Sequence, residues 1–152
     1  MQNLQQLIGS VRNIRGEMNI PPHKKAPLHV KSSETRLITQ NDIYIKSLAM
    51  VESITVSEEL AKPKYSASAV IKNMEIFVPL EGLIDFEVER KRLQKEITRL
   101  EKQIESTERK LINKDFLSKA PQHVIDNEKQ KSNDFRASLE KLVENFKNIS
   151  EN

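Results

Sequence analysis

Cysteine and tryptophan are absent from this 152-residue chain, and glycine occurs only three times. Without Cys there is no disulfide framework, no thiolate nucleophile and no Cys-containing zinc site. Two Tyr and five Phe, in a sequence 37% hydrophobic and 31% charged, are thin for a compact core and suit a chain with much exposed helix. No apolar run approaches the roughly 18 residues of a membrane span, and the N-terminus lacks the apolar core of a signal peptide. Charge of one sign is nearly lacking too: 25 Lys and Arg against 22 Asp and Glu leave +3, too little by itself to mark a nucleic-acid binder. His23, His29 and His123 are scattered over three segments, and HExxH, GxSxG and a Gly-rich phosphate loop are all missing. No catalytic or metal site is expected. The absences point to a soluble protein of a reducing compartment.

What is present divides into two textures. Leu4, Leu7, Ile8, Val11, Ile14 and Met18 recur at helical spacing, ending near Gly16 before the pair Pro21-Pro22. Leu28 and Val30 alternate with polar neighbours as a short strand. Ser32-Ser33 offers an N-cap to a helix carrying Leu37, Ile38, Tyr44, Ile45 and Leu48. Ile54 and Val56 alternate again, and SASAVIKNMEIFVPL (66–80) reads as two strands joined around Lys72-Asn73. Helix, strand, helix, strand, strand, strand describes a small α+β unit with one helix on a short sheet.

Beyond Gly82 the period changes. Asp85 is placed to cap a helix whose positions Phe86, Arg90, Leu93, Ile97, Leu100, Ile104, Thr107 and Leu111 step by four and three, the seam of a coiled coil. NKDFLSKAP (113–121) interrupts it, and Pro121 suits the first turn of a second helix. There the seam resumes at Ile125, Glu128, Ser132, Phe135, Leu139, Leu142, Phe146 and Ile149. A short connection makes neighbouring helices antiparallel. The numbers of facing seam residues then add to a constant within one, from Phe86 opposite Ile149 to Leu111 opposite Ile125. Weak layers fall together, Ile104 opposite Ser132 and Thr107 opposite Glu128. Each helix of about 27 residues would extend roughly 40 Å. The expected fold class is α+β, a small base followed by a long antiparallel two-helix coiled-coil hairpin.

The hairpin carries one pattern that is not bland. Arg92, Lys95, Arg99, Lys102 and Arg109 share a stripe opposite the seam. Glu87, Glu89, Glu96, Glu101 and Glu108 flank the seam, where Lys129, Lys131, Arg136 and Lys141 of the second helix could pair with them. Such a stripe could follow a phosphate backbone with salt-dependent affinity, or be an ordinary solvated face. In the interruption, Phe116 and Leu117 lie between Lys114 and Lys119, either plugging the end of the seam or meeting a partner. Arg12, Arg15, Lys24 and Lys25 form a second small basic cluster around the proline pair. As a class, the pattern fits a surface for a phosphate backbone or, alternatively, a coiled-coil interaction or dimerisation module.

Three separated motifs carry a resemblance to a family. VRNIRGEMNIPPHKKAP (11–27) resembles the end of the anticodon-binding helical domain of bacterial valyl-tRNA synthetases. VPLEGLIDFEVERKRLQKEI (78–97) is similar to that family's entry to its C-terminal coiled coil, and KLINKDFLSKAPQHVIDNEKQK (110–131) to its arm turn. The resemblance covers nearly the whole chain. It implies three parts: residues 1–22 as a terminal helix of the anticodon-binding domain, 23–82 as a small α+β junction, and 83–152 as a tRNA-binding arm. It also implies that the whole enzyme is a cytoplasmic valine–tRNA ligase that uses ATP and Mg and edits misacylated product. The HIGH and KMSKS signatures are absent from this stretch, so no cofactor is expected in it. The implied partners are tRNA(Val), held at its outer corner where the D- and T-loops meet, and the remainder of the synthetase, with the chain a monomer. Outside the bundle it would complete, the first helix would leave Leu4, Leu7 and Val11 exposed or packed on a neighbouring molecule.

Overall fold

The computed structural model describes residues 2–150, with the element order α1 (Gln2–Glu17), β1 (Ala26–Lys31), α2 (Thr35–Gln40), α3 (Asp42–Ala49), β2 (Val51–Ser57), β3 (Ser66–Ile71), β4 (Met74–Pro79), α4 (Phe86–Ile112), α5 (Lys114–Lys119) and α6 (Gln122–Ser150). The expected class is found: a mixed sheet with helices, followed by a long helical part. The described residues form two compact units, one of residues 2–89 with 148–150 and one of residues 90–147.

The first unit is built on a four-stranded sheet of order β2-β1-β4-β3. β1 and β2 are parallel, with Leu28 beside Ile54 and Val30 beside Val56, so the intervening helices form the crossover that a parallel pair requires. β4 runs antiparallel to both β1 and β3, placing Ile76 between Val30 and Ala69. Alternation sends Ala26, Leu28, Val30, Ile76 and Val78 to one face, where all are buried. The β3–β4 hairpin turns at Lys72-Asn73 as the sequence pattern predicts, with Lys72 at φ 51°.

α1 packs against α3 and across β3 and β4. Leu7 and Val11 are fully buried and Leu4 nearly so within the chain itself, which corrects the expectation that these side chains are exposed or packed on a neighbouring molecule. The sheet supplies the apolar surface they need. The helix ends with Asn19 in the left-handed region at φ 53° and Ile20 N–H donating to the Arg15 carbonyl, a closure one turn beyond Gly16.

Where one helix is expected after Ser33 there are two. The Asn41 side-chain amide donates to the Leu37 carbonyl at 2.8 Å, taking the acceptor that continued helix would use, while its backbone N–H donates to the Ile38 carbonyl at 3.2 Å. Nor does Ser32-Ser33 cap that helix. The Ser32 hydroxyl accepts from Glu34 N–H at 2.9 Å, closing a turn ahead of α2.

In the second unit α4 and α6 pack together. Asp85 caps α4 as expected, its Oδ1 accepting from the backbone N–H groups of Glu87 and Val88. Leu93, Ile97, Leu100 and Ile104 are buried along the seam. Ion pairs Arg136–Glu108 and Lys110–Glu128 join the helices in antiparallel register. The interruption contains the short α5. It is capped by Asn113, whose Oδ1 accepts from Asp115 and Phe116 N–H. Pro121 stands one residue before α6, its carbonyl taking the N–H of Val124 and Ile125.

Candidate nucleic-acid interface

The stripe lies where heptad geometry puts it. Lys95, Arg99, Lys102 and Arg109 are exposed on α4, and Arg92 is half-buried. Their partners differ from the expected cross-helix scheme. Arg99 bonds Glu96 of its own helix at 2.7 Å, and Arg109 pairs with Glu105 one turn before it. Lys131 likewise bonds Glu128 of its own helix. Residues three or four apart on a helix meet without the partner strand, and that local reach wins over the seam. Glu108 with Arg136 is the expected kind of pairing that does form across the helices.

Lys95 and Lys102 carry no hydrogen bond or ion pair among the described residues, and neither does Lys91, which the sequence reading missed. Lys91 lies one turn before Lys95, so the (i, i+4) spacing was the available signal. With Gln94, Thr98 and Arg99 these lysines line an open concavity of about 600 Å³. Ammonium groups presented in this way, with no carboxylate to neutralise them, suit a polyanion. A second open groove of about 840 Å³ involves Ile104, Leu139 and Val143 with Glu101, Arg136 and Glu140 among its lining. Acids and bases are mixed there, so it lacks the single sign of the lysine face.

At the tip, Lys114 and Lys119 are exposed and Phe116 is half-buried. None of the residues of α5 is buried, and Ile112 and Leu117 are 79% and 40% exposed. The tip therefore presents Ile112 and Leu117 beside lysines. Ile112 is the last residue of α4 and escaped the sequence reading because its spacing places it off the seam.

The second basic cluster, in the first unit, is of another kind. Arg15 is only 8% exposed, and its guanidinium donates to the carbonyls of Met50 (3.2 Å), Pro21 (2.9 Å) and Lys24 (2.7 Å). Burial lowers its pKa by desolvation. Arg15 is thus a brace between α1, the proline loop and the start of β2, and as a surface contact it is corrected. Arg12 is exposed but its Nε donates to the Leu48 carbonyl, and Lys24 Nζ reaches the Gly82 carbonyl at 3.4 Å. Lys25 is exposed. His23 and His123 are exposed, His29 half-buried, and the described residues contain no cluster of three metal-ligating side chains. No helix among them is long and apolar enough to cross a membrane.

Fold and surface together define a class: a helical hairpin with exposed basic residues along its first helix, encoded directly after a small mixed sheet. Residues 85–150 match the family described as the valyl tRNA synthetase tRNA binding arm. Over almost its full length the chain is also similar to valine–tRNA ligases. It is 38% identical to that of Syntrophotalea carbinolica over 99% of the chain, 39% to that of Acinetobacter baylyi over 99%, and 37% to that of Bacillus subtilis over 90%. Residues 85–150 carry the match to the arm, and the chain as a whole is similar to one part of these ligases. It spans only 16–17% of the length of those relatives.

Proposed function

We propose that this chain is the C-terminal tRNA-binding portion of a cytoplasmic valine–tRNA ligase, itself without catalysis. In this reading it holds the outer corner of tRNA(Val), where the D- and T-loops meet, while ATP and Mg are used elsewhere in the synthetase. The observation that carries the reading is the row of exposed lysines on the outer face of α4, Lys91, Lys95 and Lys102, on a hairpin of the tRNA-binding-arm family. Three consecutive contacts of this type would follow a sugar–phosphate strand. A helix face cannot read bases inside an A-form duplex, so recognition would be by backbone, shape and splayed loop bases. Ile112 at the end of α4, with Phe116 and Leu117 between Lys114 and Lys119, would add apolar contact to such an unstacked base.

Titration of the chain with tRNA(Val) at two salt concentrations tests this. Binding should weaken steeply with salt, and Lys95→Glu with Lys102→Glu should abolish it. An affinity unchanged by both substitutions would refute the assignment of the interface. The alternative, a dimerisation module, calls for self-association by light scattering; the proposed reading expects a monomer.

A further inference from the structure

The seam of the hairpin is interrupted by a zone of buried polar side chains, beside which one oxygen is sealed without a partner. On one side of the interruption, Leu93, Ile97 and Leu100 are buried against the α6 seam. In the register of the seven-residue repeat Ile104 falls opposite Ser132 and Thr107 opposite Glu128, and Thr107, Glu128 and Ser132 are 5%, 8% and 6% exposed. The Thr107 hydroxyl turns back to the Gln103 carbonyl of its own helix at 2.9 Å and makes no bond across the seam. Gln103 Oε1 is sealed from solvent with no hydrogen-bond partner. Glu128 meets Lys131 of its own helix at 3.4 Å and Lys110 of the other helix at 3.8 Å. Beyond this zone the seam has only Leu111, half-buried, and Ile125, buried, before the tip.

Buried polar side chains pack a seam less well than apolar ones, and an atom left without a partner, here Gln103 Oε1, favours the open state in which water satisfies it. They also replace the methyl and methylene contacts that hold the other layers. Local unfolding follows such differences in packing, because segments open with free energies set by their own contacts. We infer that the hairpin is built in two segments, with the Gln103–Thr107–Glu128–Ser132 zone as a hinge beyond which the tip segment opens while the seam from Leu93 to Leu100 stays closed. The hinge is a property of the seam and does not depend on what the tip binds. It would leave the lysine face on the firm segment and put Ile112 and Leu117 on the compliant one.

Hydrogen exchange on the full chain tests it. Amides of residues 108–112 and 122–127 should be protected roughly ten-fold less than those of 93–101 and 135–146. Fraying at the tip alone would give the same ordering, so the decisive measurement is repair of the seam. Ser132→Leu puts an apolar side chain opposite Ile104 and leaves the ion pairs of Glu128 intact. Thr107→Leu with Glu128→Leu repairs the other layer. Gln103→Met removes the unpartnered oxygen with the least change of shape. Each should raise protection of the tip-side amides, by about ten-fold for the leucine variants, without changing those of 93–101 and 135–146. Equal changes on both sides would mean that the hairpin opens as one unit. Tip-side amides indifferent to all three repairs would mean that the polar zone limits nothing. Either result overturns the hinge.

Discussion

Arg15 illustrates how little a residue type says before its surroundings are known. By composition it belongs with Arg12, Lys24 and Lys25 in a basic surface cluster, yet its three carbonyl bonds lie inside the first unit. Arg15→Met should therefore destabilise the chain by about 2–4 kcal/mol, read from urea denaturation, because three acceptors lose a charged donor at once. Lys in the same place should rescue little, since an ammonium cannot span three carbonyls with a planar fork. Lys72 is the opposite case, an exposed side chain at φ 51° in the β3–β4 turn. Lys72→Gly should stabilise by about 1 kcal/mol, because a Cβ in the left-handed region is disfavoured and glycine is not. A lower midpoint in urea for Lys72→Gly would contradict that account.

At the scale of elements, the parts set by periodicity were the ones legible in advance. The seam of α4 and α6, the cap at Asp85 and the four strands all follow from spacing, since burial along a regular element repeats with its geometry. Competition between neighbours was not legible. Asn41 divides one amphipathic helix into α2 and α3 because its amide can reach the Leu37 carbonyl, and Ser32 closes a turn instead of a helix. Pairing of charges went the same way: Glu96 and Glu128 found lysine or arginine within their own helices. The short helix in the interruption depends on Asn113, whose side chain holds two N–H groups. Asn113→Ala should cost about 1 kcal/mol and speed exchange at the Asp115 and Phe116 amides, while Asn113→Asp should not.

For the whole molecule, the modest +3 conceals how charge is distributed. Acids are spent within α4 and α6 on Arg99, Arg109, Lys131 and Arg136, while Lys91, Lys95 and Lys102 keep none. Charge reversal at Lys95 and Lys102 tests that face as a whole; alanine at either position alone should weaken tRNA(Val) binding to a smaller degree. Each single variant should reduce the slope of log affinity against log salt by about one contact. An unaltered slope would remove that lysine from the interface. Sequence by itself determined the antiparallel hairpin and which residues of α4 lie opposite its seam, because a seven-residue repeat acts locally and needs no distant partner to be read. Only the tertiary structure decided that α1 buries Leu7 and Val11 against the sheet, that Arg15 faces inward and that three lysines stay unpaired. Those outcomes depend on which surfaces meet, and contacts between segments far apart in sequence leave no periodic trace along the chain.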